Sequence, residues 1–388
     1  MNDYDKNLSL HHKRVYAAFN GEIPDRVPIC EQAFASSVAS RFLNYNGYTG
    51  STDIHYFEAC AWLEGENCHR EFVDKLFEDT VALHKYFDYD IFFVPWRKAD
   101  RPTKRLSETR ILYGDPDGDD WEVYEYDPNS RTYGMVEAAQ KENTYEEVKE
   151  IIARVIENAG RTEYVPEMDP FVKRALNEYG DEYVVSGDAC MAIPMKTGWL
   201  EATVLDPGLI EEYLDLQADG LLKYLEVQHK AGIRLINGGG DFAFNSGPVY
   251  SPAFFIKHVY PRWKRIFDFC RKNEMFYIFR SDGNLWPVAD YLFRSGNAHA
   301  YYECDYDAGM MFADLRKKYE DLVLMGNVSC NLLATGNPDD ISKIVEECIE
   351  AAYPRVIIGS SNSILHGTPP ENVIAMYETA NNFSTGKM

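Results

Sequence analysis

Short runs of apolar, β-branched and aromatic residues recur along the chain, each ending in polar or small residues and followed by apolar positions at helical spacing. The runs are Arg26–Cys30, Asp90–Pro95, Tyr183–Gly187, Ile233–Asn237, Met275–Phe279, His299–Glu303, Leu322–Met325 and Arg355–Ile358. Helical stretches fall between the later ones, at Pro207–Ala231, Pro252–Lys272, Leu285–Arg294, Ala313–Tyr319 and Pro338–Ala352. Ser251-Pro252 and Asn337-Pro338 each put a capping side chain before a proline suited to a first helical turn. Near-continuous apolar strands alternating with helices predict a parallel sheet covered on both faces. Eight such units predict a (β/α)8 TIM barrel with an N-terminal extension, one α/β domain over residues 1–388. An open doubly wound sheet is the alternative, but the last four runs start only about 23 to 33 residues apart, which is barrel spacing.

The earlier runs lie further apart and must host insertions. Within 105–135, Asp-Pro-Asp-Gly and Asp-Pro-Asn-Ser turn clusters separate aromatic and β-branched residues, predicting a β-hairpin or small ribbon. Its Asp115-x-Asp117-x-Asp119 lacks the glycine and glutamate that a calcium loop requires. An acidic helix is predicted over Thr144–Ala159.

Charge narrows the choice of partners. The chain has 62 acidic against 39 basic residues, a formal net charge of −23, and no basic patch. Nucleic acid and anionic membranes are therefore excluded as expected partners. The N-terminus shows no apolar signal core, and no apolar run is long enough to span a membrane. The eight cysteines are scattered, as in reduced thiols, so a cytoplasmic enzyme is expected.

In a β/α barrel the chemistry sits at the C-terminal ends of the strands. Those ends carry Cys30-Glu31-Gln32, Trp96-Arg97, Asp188, Gly238-Gly239-Gly240-Asp241, Arg280-Ser281-Asp282-Gly283-Asn284, Glu303-Cys304-Asp305, Gly326-Asn327-Val328-Ser329-Cys330 and Gly359-Ser360-Ser361-Asn362. Two readings stay open. Carboxylates and thiols from the fifth to seventh strands suit a divalent metal, most naturally zinc; alternatively they cap helices while Cys304 and Cys330 are small buried side chains. Asp282 opens an Asp-Gly-Asn turn at a strand end and is read as functional. The triple glycine, without GxGxxG or a Walker lysine, reads as close backbone approach. His299 reads as a core histidine, and His366 is placed to reach the mouth. Cys60, Cys68 and His69 lack a fourth metal partner. Trp286, Tyr301 and Tyr302 suit a flat aromatic substrate.

Several ordered blocks resemble the uroporphyrinogen decarboxylase superfamily, and within it the corrinoid-dependent methyltransferase branch. They are KRVYAAFNGEIPDRVP (13–28), Gly239-Gly240-Asp241 with GPVYSPAFFIKHVYPRWKRI (247–266), SDGNLWPVADYL (281–292), AGMMFADLRKKY (308–319), MGNVSCNLLATGNPDDI (325–341) and GSSNSILHGTPPENVIAMYE (359–378). The resemblance implies the (β/α)8 barrel. The Arg-Gln-Ala-Gly-Arg stretch of haem-pathway decarboxylases is absent; Cys30–Ser36 contains no arginine. The branch's His-x-Cys zinc ligands correspond to Arg280-x-Asp282, and its last cysteine to Ser361, so the thiol-activating site is not reproduced. Relatives that demethylate aryl methyl ethers use acidic residues there.

The resemblance thus implies an O-demethylase component that moves a methyl group from a small methoxylated, aromatic donor to a corrinoid carried by a separate protein. Asp282 and Glu303 are the implied catalytic pair; with Cys330 they are the implied zinc ligands. The strand-six role falls to Glu303, with Cys304 or Asp305 as substitutes. Asp241, Asn284 and Asn327 would orient substrate, while Trp286 and Tyr301 would pack its ring. The alternatives are a cofactor-free decarboxylase or lyase of the same superfamily and a non-catalytic barrel that binds a methylated ligand. The sequence leaves the oligomeric state open.

Overall fold

A computed structural model describes residues 8–383 other than 51, 99, 119, 140–141 and 162–165. Thirteen strands form among them: β1 (Ile91–Phe92), β2 (Pro102–Arg105), β3 (Arg110–Tyr113), β4 (Glu122–Asp127), β5 (Thr132–Ala138), β6 (Val184–Cys190), β7 (Leu235–Gly239), β8 (Ala243–Phe244), β9 (Gly247–Pro248), β10 (Phe276–Arg280), β11 (Ala300–Tyr302), β12 (Val323–Met325) and β13 (Val356–Ile357). Seven make one parallel sheet in the order β1-β6-β7-β10-β11-β12-β13. Alternate residues separate its two faces. Val184, Leu235, Ile278, Ala300, Tyr302, Val323 and Ile357 point inward, where Val15, Ala18 and Phe19 of the helix Leu10–Asn20 pack against them. Ile236, Tyr277, Phe279, Tyr301 and Leu324 point outward into the larger core beneath the surrounding helices.

The expected closed eight-stranded barrel is corrected here. The sheet curls through 250° and leaves its edges 10 Å apart, a half-barrel. Arg26–Cys30, predicted as the first strand, runs through that opening without becoming a strand. Ile29 pairs with Ile358 as an isolated bridge, and its carbonyl accepts the Asp90 N–H at 2.9 Å. The opening is about two strand spacings wide, room for a single segment. Pro24 precedes the segment and Pro28 lies within it, with no N–H to offer a ladder.

Helix ends follow the predicted capping chemistry. Pro207–Ala231 and Pro338–Ala352 form as expected, the latter with Asn337 accepting from the N–H groups of Asp339 and Asp340. Pro252–Lys272 forms with a π-helical stretch at Phe255–Val259, just before Pro261, whose missing N–H breaks the regular ladder. Leu285–Arg294 shortens to Ala289–Phe293. The ribbon expected over 105–135 is a four-stranded antiparallel sheet, β2-β3-β4-β5. It packs Ile111, Tyr113, Tyr126 and Tyr133 on the helix Asp53–Glu64, with the Tyr56 and Tyr126 rings stacked at 4.3 Å. Asp119 of the rejected calcium loop lies outside the described residues. No described helix is long and apolar enough to cross a membrane.

The triple glycine does serve close approach. A Cβ at Gly238 would lie 2.1 Å from both the Ala189 carbonyl and the Tyr277 hydroxyl. Gly239 adds a φ of 115° beside the Arg280 backbone. Gly238→Ala is therefore expected to lower unfolding stability by about 3 kcal/mol, read by urea denaturation.

Candidate functional site

Register places the site. Cys190 pairs with Gly239, Gly239 with Arg280, and Arg280 with Tyr302, so these residues form one row at the C-terminal rim. Leu235 and Ile278 face inward. Counting on by twos puts Asp241 and Asp282 on the same side just past the rim. Glu303 is out of phase with inward-facing Tyr302. Its φ of 62°, in the left-handed region, re-aims the chain at that point. One carboxylate oxygen each of Asp241, Asp282 and Glu303 lies within 4.8 Å of the others.

Glu303 is only 2% exposed. Gln32 Nε2 donates to its Oε1, and Arg280 Nη1 stands 3.5 Å from that oxygen. Its Oε2 is buried with no hydrogen-bond partner. Burial above all, then the charges of Asp282 and Asp241, pushes its carboxyl up to about 8 despite the opposing Arg280 guanidinium. Asp282 is pushed up to about 6 by burial and by Asp241 and Asp305, although Asn362 Nδ2 donates to its Oδ2 at 2.9 Å. Asp241 Oδ1 accepts the Asp282 N–H at 3.4 Å. Three carboxylates this close hold protons or a cation more readily than three negative charges.

The expected third ligand changes. Cys330 opens the helix Cys330–Thr335, where its Sγ accepts the Ser363 N–H at 3.3 Å and lies 3.4 Å from Ser361 Oγ. Four residues of loop separate it from β12, and it is not in the cluster; Asp241 takes that place. Cys304 is fully buried with its thiol on the Tyr301 carbonyl, and Asp305 caps the turn through Gly283 and Ala308 N–H groups.

Four expected substrate contacts have partners within the fold. Tyr301 points outward by strand alternation, stacked on Phe293 at 4.5 Å with its hydroxyl on the Ser281 carbonyl. Trp286 donates its indole N–H to Gly309 O, and its ring lies under the Lys318 ammonium at 5.6 Å. Asn284 closes its own turn by accepting the Trp286 N–H. Asn327, 1% exposed, donates to the Cys304 and Met310 carbonyls and accepts the Phe312 N–H. Asn327→Ala leaves those groups unmatched and should cost about 3 kcal/mol in chemical denaturation.

Other singled-out side chains fall outside the cluster too. His299 Nδ1 accepts the Tyr277 N–H at 3.0 Å, as expected of a core histidine. His366 pairs with Ser37 at the surface, and His69 stacks on Trp62 while bonding Glu58. Arg280, Gln32 and Cys190 were not foreseen as site residues. Arg280 was legible in principle, since it shares a strand face with Asp282 two positions on.

The family profile described as Uroporphyrinogen decarboxylase (URO-D) matches residues 189–383, which include all three carboxylates. The chain belongs to the uroporphyrinogen decarboxylase family. Among solved structures, a methyltransferase from Methanosarcina mazei shares the fold of this URO-D family member, with a TM-score of 0.62 and 16% identity over 97% of this chain and 99% of that one. A candidate vitamin-B12-independent methionine synthase from Listeria monocytogenes matches 62% of this chain and 86% of its own at TM-score 0.37 and 14% identity. A D-tagatose 3-epimerase-like protein matches 59% and 91% at TM-score 0.34 and 9% identity. No curated protein matches the chain.

Proposed function

We propose that this chain is a methyltransferase that takes a methyl group from a small methoxylated donor and passes it to a corrinoid held by a separate protein, working as one domain. The observation that carries this reading is the convergence of Asp241, Asp282 and Glu303, with one buried oxygen of Glu303 left without a partner. An ether oxygen is a poor leaving group, so the site must stabilise charge developing there as the methyl departs. The three carboxylates fit a divalent cation: Glu303 Oε2 is available, and both raised carboxyls are relieved by positive charge. Zinc accepts carboxylates, and an all-oxygen set without Cys330 also suits harder cations. When bound, such an ion supplies Lewis acidity toward the ether oxygen. The chain's own contribution is to orient Glu303 through Gln32 and Arg280, and Asp282 through Asn362. With Tyr301 turned into the outer core, it offers the ring of an aromatic donor no stacking face, so alkyl methyl ethers belong beside aryl ones.

A cofactor-free decarboxylase or lyase draws on one specific observation: Glu303 keeps its proton to about pH 8, as a proton donor to a carbanion requires. The experiment is to mix the protein with reduced corrinoid protein and a panel of aryl and alkyl methyl ethers, methylamines and thioethers, and to measure bound zinc, magnesium and manganese. Loss of the reduced-corrinoid absorbance with an ether and a stoichiometric cation support methyl transfer. No donor reacting and no cation bound favours the lyase.

A further inference from the structure

The segment in the half-barrel's opening lies along the chain that follows β13, and two short ladders hold the ends of this seam. Cys30 N–H donates to the Ile358 carbonyl at 2.9 Å, and Ile358 N–H to that of Pro28 at 3.0 Å. Further on, Ala35 N–H donates to the Ile364 carbonyl at 2.9 Å, and Ile364 N–H to that of Ala33 at 3.0 Å. Between the two, among the described residues, no backbone hydrogen bond joins 31–32 to 359–363. Side chains bridge the gap. Glu31 Oε1 accepts the Ser360 hydroxyl at 2.8 Å, and its Oε2 accepts the Ser360 N–H at 3.2 Å and the Tyr377 hydroxyl at 2.9 Å. Gln32 Nε2 donates to the Asn362 carbonyl at 3.0 Å.

A carboxylate is costly to bury, and Glu31 is 8% exposed. Burial pushes its carboxyl up to about 7, although Ser360, Tyr377 and the Gln32 N–H all donate to it. The two amides that steady the acidic cluster stand on either side of the gap it spans. Gln32 Nε2 donates to Glu303 Oε1, and Asn362 Nδ2 to Asp282 Oδ2 at 2.9 Å. We propose that Glu31 is a positioning residue for the acidic cluster: its buried carboxylate locks Ser360 against the Glu31–Gln32 segment, and so keeps Gln32 on Glu303 and Asn362 on Asp282. Its effect on turnover rests on the methyl-transfer reading; its hold on the two amides does not.

Nitrogen NMR of the full chain labelled at glutamine reads that hold directly. The chain has four glutamines, so the Gln32 side-chain amide is identified by its loss in Gln32→Leu. In the parent, held by two acceptors, its protons should exchange slowly with water. Glu31→Leu should speed that exchange about tenfold, the scale of one lost hydrogen bond, in a chain that still unfolds cooperatively in urea. Ser360→Ala, which removes only the hydroxyl donor, should speed it less. With a methyl ether that reacts in the parent, Glu31→Leu should lower kcat by about 10²-fold, the scale of a misplaced catalytic group, and leave KM little changed. Combining it with Gln32→Leu should cost little more, because both break the same chain of contacts. An unchanged Gln32 amide in both folded variants, or losses in kcat that multiply in the double variant, overturns the positioning role and leaves methyl transfer standing. Should Glu31→Leu not fold, Ser360→Ala carries the same test. A parent that methylates no corrinoid, yet whose Gln32 amide is freed by these substitutions, overturns methyl transfer and keeps the positioning role.

Discussion

Glu303→Gln is expected to slow methyl transfer to a corrinoid acceptor by about 10³-fold while leaving the fold intact, the scale of losing a general acid or a metal-holding carboxylate. The glutamine keeps an oxygen for Gln32 to donate to, but it can neither carry a proton at Oε2 nor balance a cation there. Asp282→Asn should act in the same direction. The pH profile separates the two enzymatic readings. If Glu303 works as a proton donor, kcat/KM falls as pH rises through about 8, where its carboxyl ionises. If it holds a cation, ionised Glu303 is the working form and activity falls on the acid side instead. A Glu303→Gln variant within threefold of the parent rate contradicts both site assignments.

The same substitution should make the cation-free protein less sensitive to alkaline pH. An unfolded glutamate titrates at about 4.3, whereas folded Glu303 does so at about 8. Between those values the native state binds more protons than the unfolded one. The stability linked to this group is therefore full below the unfolded value and is lost as pH rises through the folded one. Asp282 at about 6 and Glu31 at about 7 act in the same sense. Relative to the parent, Glu303→Gln should gain about 4 kcal/mol of unfolding free energy between pH 5 and 9. A divalent cation should reverse the order, stabilising the parent by about 2.7 kcal/mol at a hundredfold excess over its Kd and the variant much less. Urea unfolding with chelator and with zinc reads both effects. Identical pH slopes for the two proteins contradict the linkage.

Much of this architecture was legible because burial leaves a periodic trace. The seven paired strands overlap seven of the eight predicted runs, with β6, β7 and β10 extending past them, and the capped helices Pro207–Ala231 and Pro338–Ala352 keep their predicted bounds. Arg26–Cys30 failed as a strand because composition does not report whether a neighbouring ladder is offered; there Ile29 alone makes a bridge. Asp282 was singled out from its turn at a strand end, and Glu303 from the resemblance. Tyr301 was misplaced because proximity in sequence was weighed above strand alternation, which turns it outward beside inward-facing Tyr302. Cys330 was judged by chemistry without the length of loop separating it from β12. Gln32 left no local signal, since its partner Glu303 lies 271 residues away along the chain.

On the proposed reading, the carboxylates of Asp241, Asp282 and Glu303 hold a cation that activates a methyl ether. The most direct test is the rate at which reduced-corrinoid absorbance is lost in the presence of a methoxylated donor, measured before chelation, after it, and after a divalent cation is restored. Chelation should stop the reaction, the cation should restore it in the parent, and Glu303→Gln should stay inactive throughout. A parent indifferent to chelation, with Asp282→Asn and Glu303→Gln reacting at the same rate, would contradict that reading.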